Sequence, residues 1–237
     1  MTDTTTFVLI PGAWHGGWAW HPVAQRLHAA GHRAIALTLP GMAVGDDQTG
    51  LRLEDAVAYL VAEIERRDLS DVVLVGHSWG GLPITAAAHR LPGRISKVVY
   101  YSAMVPVQGA SANDDNPPEN AAYVRAAVEA SPTGVVSIPF EIFRQVLIQD
   151  QPEAVQRLVH DLLVPQPGGY MLDPVDVPSV TTLGIPVAYL MAEDDRALAR
   201  PGTEFAARIG QEPILVPGPH ESLLTHPDEL AKALLTL

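Results

Sequence analysis

The chain has 237 residues, 47% of them hydrophobic and 18% charged, which suits one α/β domain with an insertion better than a disordered chain or two small domains. Its formal charge of −12 argues against nucleic acid or an anionic membrane as partner, since both require a basic footprint. The absence of cysteine excludes disulfides, a thiolate nucleophile and cysteine-ligated zinc.

The opening residues, Met1 to Thr6, lack a basic segment followed by a long apolar one, so no signal peptide is expected. No apolar run reaches the ~20 residues needed to span a bilayer. These features predict a soluble, cytoplasmic protein without a nucleic-acid or membrane partner and say little about a small substrate.

Short apolar runs alternate with helical patterns, as in a mostly parallel sheet covered by helices on both faces. Phe7–Ile10 reads as the first strand, followed by a loop rich in Gly and Trp, Pro11 to Trp18. A helix is expected over Val23–Ala30 with Gly31 as its stop, and a strand over Ala34–Leu39. Val57, Leu60, Val61 and Ile64 recur at helical spacing within Leu53–Arg67. Asp71–Gly76 is then a buried strand, Leu82–Arg90 a helix, and Lys97–Ser102 a further strand.

The rhythm changes after Met104. Residues 109–120 are rich in Asn, Asp, Ser and Pro and read as loop. Helical patterns follow at Ala121–Ala130, Phe140–Gln149 and Pro152–Leu163, then a proline-rich stretch from Pro165 to Pro178. Strand character resumes at Ile185–Leu190, and Thr203–Ile209, Ile214–Val216 and Pro227–Leu235 complete the chain as helix, strand and helix. Residues 1–104 and 181–237 thus form the core, and 105–180 an insertion. At the carboxyl edge of a parallel sheet a helical insertion lies over the ligand crevice as a lid; the alternative is ordinary sheet-packing helices.

Between strand and helix stands Gly76-His77-Ser78-Trp79-Gly80, a G-x-S-x-G sequence in the strand–turn–helix context of a nucleophile elbow. The turn projects the serine Oγ from the sheet edge, and the helix N-terminus behind it offers N–H groups to an oxyanion. A free serine is a poor nucleophile and needs a base oriented by a carboxylate. After an elbow the acid comes next in the chain and the histidine last. Among nine histidines, His220 sits just beyond the last strand, where its loop reaches the carboxyl edge. His226 opens the final helix; His28, His32, His89 and His160 lie on or beside helices; His77, adjacent to the serine, is expected to point elsewhere. The acid belongs to the loop Glu193-Asp194-Asp195. Spacing does not rank these three; Asp194 is taken, with Asp195 as the alternative. The backbone N–H groups of Ala13 and Trp79 are the expected oxyanion donors. His15 and His21 do not make a spaced metal motif, and no phosphate loop or dinucleotide fingerprint is present, so no cofactor and no metal are expected.

Taken together, Phe7 to Trp20, Gly76 to Gly81, Ala192-Glu193-Asp194 and Pro219-His220 are similar to the α/β-hydrolase superfamily. More narrowly, they resemble its plant methylesterase and hydroxynitrile lyase branch and related small bacterial esterases. The likeness covers both ends of the chain and thins across the insertion. It implies an α/β-hydrolase fold with a helical cap, a Ser-His-Asp triad on Ser78, Asp194 and His220, oxyanion donors at Ala13 and Trp79, no cofactor, and a possible homodimer. The lyases of that branch place Thr in the first loop and Lys after the catalytic histidine, where this chain has Gly12 and Glu221; a carboxylate opposes cyanide handling, so hydrolysis is favoured. The branch usually has His-Gly where this chain has Pro11-Gly12. The expectation is a serine hydrolase for an ester or lactone of a hydrophobic small molecule, its pocket lined by Gly12, Trp14, Met104, Phe140, Phe143 and Leu147. The rivals are a lyase or cyclase on the same scaffold, a transacylase, or a slow-turnover binding protein.

Overall fold

The computed structural model describes residues 4–237. The leader reading of Met1–Thr6 therefore falls partly outside the described residues. Six strands, β1 (Thr6–Ile10), β2 (Arg33–Ala36), β3 (Val72–His77), β4 (Ile95–Tyr101), β5 (Val187–Ala192) and β6 (Ile214–Val216), form one sheet in the order β6-β5-β4-β3-β1-β2. Every pairing in it is parallel.

Period-2 alternation sends neighbouring side chains to opposite faces. Val8 and Ile10 join one buried cluster with Leu74, Val98 and Tyr100; Phe7 and Leu9 join the other with Val75, Val99 and Tyr101. The first face is covered by α2 (Leu53–Arg66) through Leu60 and Ile64 and by α3 (Gly81–Arg90) through Leu82 and Ile84. The second is covered by α1 (His21–Ala29), through Val23 and Leu27, and the final helix Pro227–Leu235, through Leu230 and Leu234. Both faces are covered, which is why the strands read as continuous apolar runs.

The second strand is shorter than its apolar pattern predicts. Leu37 and Leu39 are buried and the Leu37 N–H still donates to Leu9 O at 3.1 Å, but Thr38 accepts the Gly17 N–H on its hydroxyl, and the ladder ends there. Between β4 and β5, which are direct neighbours in the sheet, the chain makes its long excursion. This holds α4 (Pro118–Ala130), α5 (Phe140–Val146), α6 (Glu153–Asp161) and α7 (Gly168–Leu172). Helix α7 lies within the proline-rich stretch Pro165 to Pro178. Two short antiparallel ladders, Ala110–Ser111 with Pro174–Val175 and Val135–Val136 with Gln166–Pro167, tie the excursion to itself. Such pairings are too short for a periodic signal. Phe143, Leu147, Ile148 and Val159 form a small core of its own.

Strand β1 pairs β2 on one side and β3 on the other, so the chain reverses its direction of travel across the sheet at β1. Ligands of open parallel sheets bind at the carboxyl ends of strands at such a switch point. The loop after β1 and the turn after β3 meet there. No helix among the described residues is long and apolar enough to cross a membrane.

Candidate active site

Ser78 follows the last residue of β3 with φ at +54°, a left-handed conformation that a side-chain-bearing residue adopts only where its surroundings enforce it. The enforcement is visible. A Cβ on Gly76 would lie 2.7 Å from Gly80 O, and one on Gly80 would lie 2.7 Å from Pro11 O, so α3 and the first loop close onto the turn from both sides. The Met104 N–H donates to Ser78 O at 3.0 Å and fixes the turn from the β4 side. Ser78 stays partly exposed while the residues on either side of it are buried.

His220 lies on the loop after β6 and is 2% exposed. Its Nδ1 donates to Asp195 Oδ2 at 2.8 Å. The partner is therefore Asp195 and not Asp194. The loop after β5 turns so that the Asp194 side chain is exposed and its backbone is used: its N–H donates to Gly218 O, and its carbonyl accepts from Gln149. Asp195 also accepts the Ala197 N–H at 2.8 Å on Oδ1, a bond that orients the carboxylate. Burial pushes the Asp195 carboxyl up, but the imidazole and these donors outweigh it and hold the group below its usual range. For His220, burial pulls the imidazole down while the charges of Asp195 and Glu221 raise it further, with a net upward shift.

His77 does not point elsewhere. It is 1% exposed, stacks on Tyr101 with ring centroids 5.3 Å apart, and donates from Nε2 to His220 O at 3.1 Å. It therefore steadies the backbone of His220, a role with no signal in the sequence beyond its place beside the serine. Burial holds its imidazole well below the ordinary histidine range.

The loop after β1 is pinned by side chains. His15 Nδ1 donates to Ala13 O at 2.7 Å, and the Trp14 N–H donates to Gln166 Oε1 at 2.8 Å. The peptide between Ala13 and Trp14 is thus held at both ends. The Ala13 N–H meets no protein acceptor among the described residues. Trp79 is buried; its indole donates to Tyr170 O at 2.7 Å and stacks on the Tyr170 ring, clamping α7 over the elbow. Glu221 is fully buried beside His15, with Oε1 3.5 Å from Nε2.

A cavity of about 190 Å³ brings Ser78 and His220 together with Gly12, Ala13, Trp14, Trp79, Met104 and Leu147. At Gly12 a Cβ would stand 2.9 Å from that of Ser78, so only glycine keeps this wall open. Phe140 and Phe143, expected in the wall, are not there. Phe143 turns into the core of the excursion, and Phe140 lies under the Arg157 guanidinium at 4.3 Å. On α5 the neighbouring face is the one presented: Ile142 and Val146 line the cavity instead. A shallower hollow shares Trp14, Asn116, Ile138, Ile142 and Met171 with it, extending an apolar path outward. The histidines set aside in the sequence serve backbone groups: His28 meets Ala34 O, His89 Pro178 O and His160 Ile138 O.

A profile described as the alpha/beta hydrolase family matches residues 7–233. A carbendazim hydrolyzing esterase of Nocardioides sp. (strain SG-4G) is 42% identical over 107 residues, 44% of this chain and 44% of that protein. Esterase PIR7B of Oryza sativa subsp. japonica is 38% identical over 112 residues, 44% of this chain and 40% of its own length. The aligned part thus spans less than half the length of these curated relatives. An extracellular alpha/beta-hydrolase from a Paenibacillus species superposes with a TM-score of 0.88 over 98% of both chains at 24% identity, a likeness of fold.

Proposed function

The chain belongs to the alpha/beta hydrolase family, and we propose from that premise that it is a serine esterase for small, largely apolar carboxylic esters or lactones. The observation that carries the reading is the convergence on one cavity of a serine at φ +54° and a histidine held at 2.8 Å by a buried carboxylate. Ser78 Oγ attacks the ester carbonyl and passes its proton to His220 Nε2. Asp195 keeps the proton of His220 on Nδ1 and stabilises the imidazolium. The N–H groups of Ala13 and Trp79 hold the oxyanion. His220 returns the proton to the departing alcohol, then takes one from water, whose oxygen attacks the acyl-enzyme to release the acid. The excursion between β4 and β5 acts as the lid, with Ile142, Val146 and Leu147 giving the pocket its apolar wall. Glu221 puts a carboxylate beside His220 where a cyanide-releasing site needs a cation, which favours hydrolysis over cyanohydrin cleavage.

The test is intact-mass labelling with a serine-directed fluorophosphonate, beside Ser78→Ala. A single adduct on the wild type and none on the variant is expected. A folded wild type that takes no adduct ends this reading.

A further inference from the structure

Glu221 touches no reacting atom in the reaction described above, yet it is 0% exposed, lines the cavity, and meets no hydrogen-bond donor on either carboxylate oxygen among the described residues. A native protein leaves few buried acceptors bare, and each one asks for an explanation. His15 stands beside it. The Nδ1 of His15 faces a carbonyl, Ala13 O, which can only accept, so the ring proton sits on Nδ1. His15 Nε2 stands 3.5 Å from Glu221 Oε1, and neither atom has a hydrogen-bond partner among the described residues. Oε2 has none either.

His77 adds a further bare acceptor. Its Nε2 donates to His220 O, so that nitrogen carries the proton of the neutral ring. Its Nδ1 is then a buried lone pair without a donor, and it too belongs to a residue lining the cavity. One nitrogen each of His77 and His220 and one oxygen of Glu221 lie within 4.8 Å of one another. The corner beside the catalytic base therefore displays three unpartnered acceptors, Glu221 Oε1 and Oε2 and His77 Nδ1. A cation seated there would take up the His220 lone pair that the reaction uses.

We propose that this corner receives an N–H group of the substrate, so that the preferred ester bears an amine, amide or carbamate N–H close to its scissile carbonyl. The inference rests on the esterase reading and narrows it. A plain hydrocarbon ester placed in the same pocket leaves Glu221 and His77 unpaired, and a site built to hydrogen-bond one group rejects analogues that lack it.

Two methyl esters that differ by one amino group test this: methyl phenylalaninate and methyl 3-phenylpropanoate. Each is used as competitor against fluorophosphonate labelling of Ser78, a readout that needs no turnover of either ester. On the wild type the amino ester is expected to protect better by on the order of ten- to a hundredfold, the range of a hydrogen bond to a charged acceptor. In Glu221→Gln, which keeps the side-chain shape but not the charge, the preference should collapse, with protection by each ester measured relative to that variant's own uncompeted labelling rate. Equal protection by the two esters on the wild type, as a corner filled by water or a cation would give, overturns the inference and leaves the esterase reading standing. So does a preference that survives in Glu221→Gln. A drop in the uncompeted labelling of Glu221→Gln, with the preference intact, would make Glu221 a positioning group for the catalytic residues. A wild type that takes no label at all defeats the esterase reading itself.

Discussion

Asp194→Asn and Asp195→Asn differ by one position and should differ by orders of magnitude in effect. Asp195 holds His220 Nδ1 at 2.8 Å, and its other oxygen accepts the Ala197 N–H. An asparagine that keeps the Ala197 bond on its amide oxygen must turn its NH₂ toward Nδ1. The imidazole then flips its proton to Nε2, the nitrogen that has to be bare to receive the Ser78 proton. Loss of the correct tautomer in a triad costs about 10⁴ in turnover. At about 1.4 kcal/mol per tenfold, that is about 5.5 kcal/mol of transition-state stabilisation. Asp194, exposed and engaged only through its backbone, should change kcat/KM by less than about threefold, since surface substitutions usually stay within about 0.5 kcal/mol. Steady-state hydrolysis of p-nitrophenyl acetate, with active sites counted by fluorophosphonate, reads both variants. An Asp194→Asn loss that matches or exceeds that of Asp195→Asn would refute the assignment.

The remaining expectations are more local. Because the His220 imidazole is shifted upward and must be neutral to act, the acid limb of kcat/KM against pH should have its midpoint above 6.5, and a midpoint below that value contradicts the charge balance described. Gly80→Ala drives a Cβ to within 2.7 Å of Pro11 O; overpacking of about 1–3 kcal/mol should appear as a lowered Tm together with slower labelling of Ser78, and a silent variant would mean that the turn is looser than it looks. Phe143→Ala should cost about 3–5 kcal/mol of stability, whereas Ile142→Ala, half exposed on the cavity side, should leave Tm nearly unchanged and raise KM. Glu63 is held down to about 2 by Arg66 and Arg67. A depressed carboxyl stabilises the fold above its unfolded value of 4.5, and the gain is lost as pH falls through about 2, so Glu63→Gln should flatten acid denaturation over that window while costing under about 1 kcal/mol at pH 7.

The elements with strong local chemistry were legible before any coordinates. β3 and the turn after it announce themselves by four apolar residues and two glycines, and the structure supplies the reason: a Cβ on either glycine would lie 2.7 Å from a backbone oxygen. That His220, among nine histidines, meets the acidic loop and shares a cavity with Ser78 follows from topology, as the loop after the last strand ends at the same sheet edge as Ser78. The wall of α5 was not legible in the same way. Phe140, Ile142, Phe143 and Val146 are all apolar, so periodicity says the helix is buried without saying which side meets the cavity and which the core of Phe143, Ile148 and Val159. The short ladders at Val135–Val136 and Gln166–Pro167 lie far apart in the chain and are too brief to leave a period.

The acidic loop marks the limit most clearly. Glu193, Asp194 and Asp195 offer the same functional group at consecutive positions, and the choice among them is made by where the backbone turns. The Asp194 N–H is spent on Gly218 O, in the loop that also carries His220. That bond registers the two loops against each other and presents the next side chain, Asp195, to the imidazole. Glu221 is the converse case. Its charge and its place beside His220 are plain in the sequence, and an isolated carboxylate would be expected in water. What turns it inward is tertiary: the Glu221 N–H donates to Leu147 O at the end of α5, and His15 stands at 3.5 Å. A buried carboxylate without a hydrogen-bond donor of its own costs stability. Its retention at the wall of the cavity is therefore most simply explained by what the cavity is built to hold.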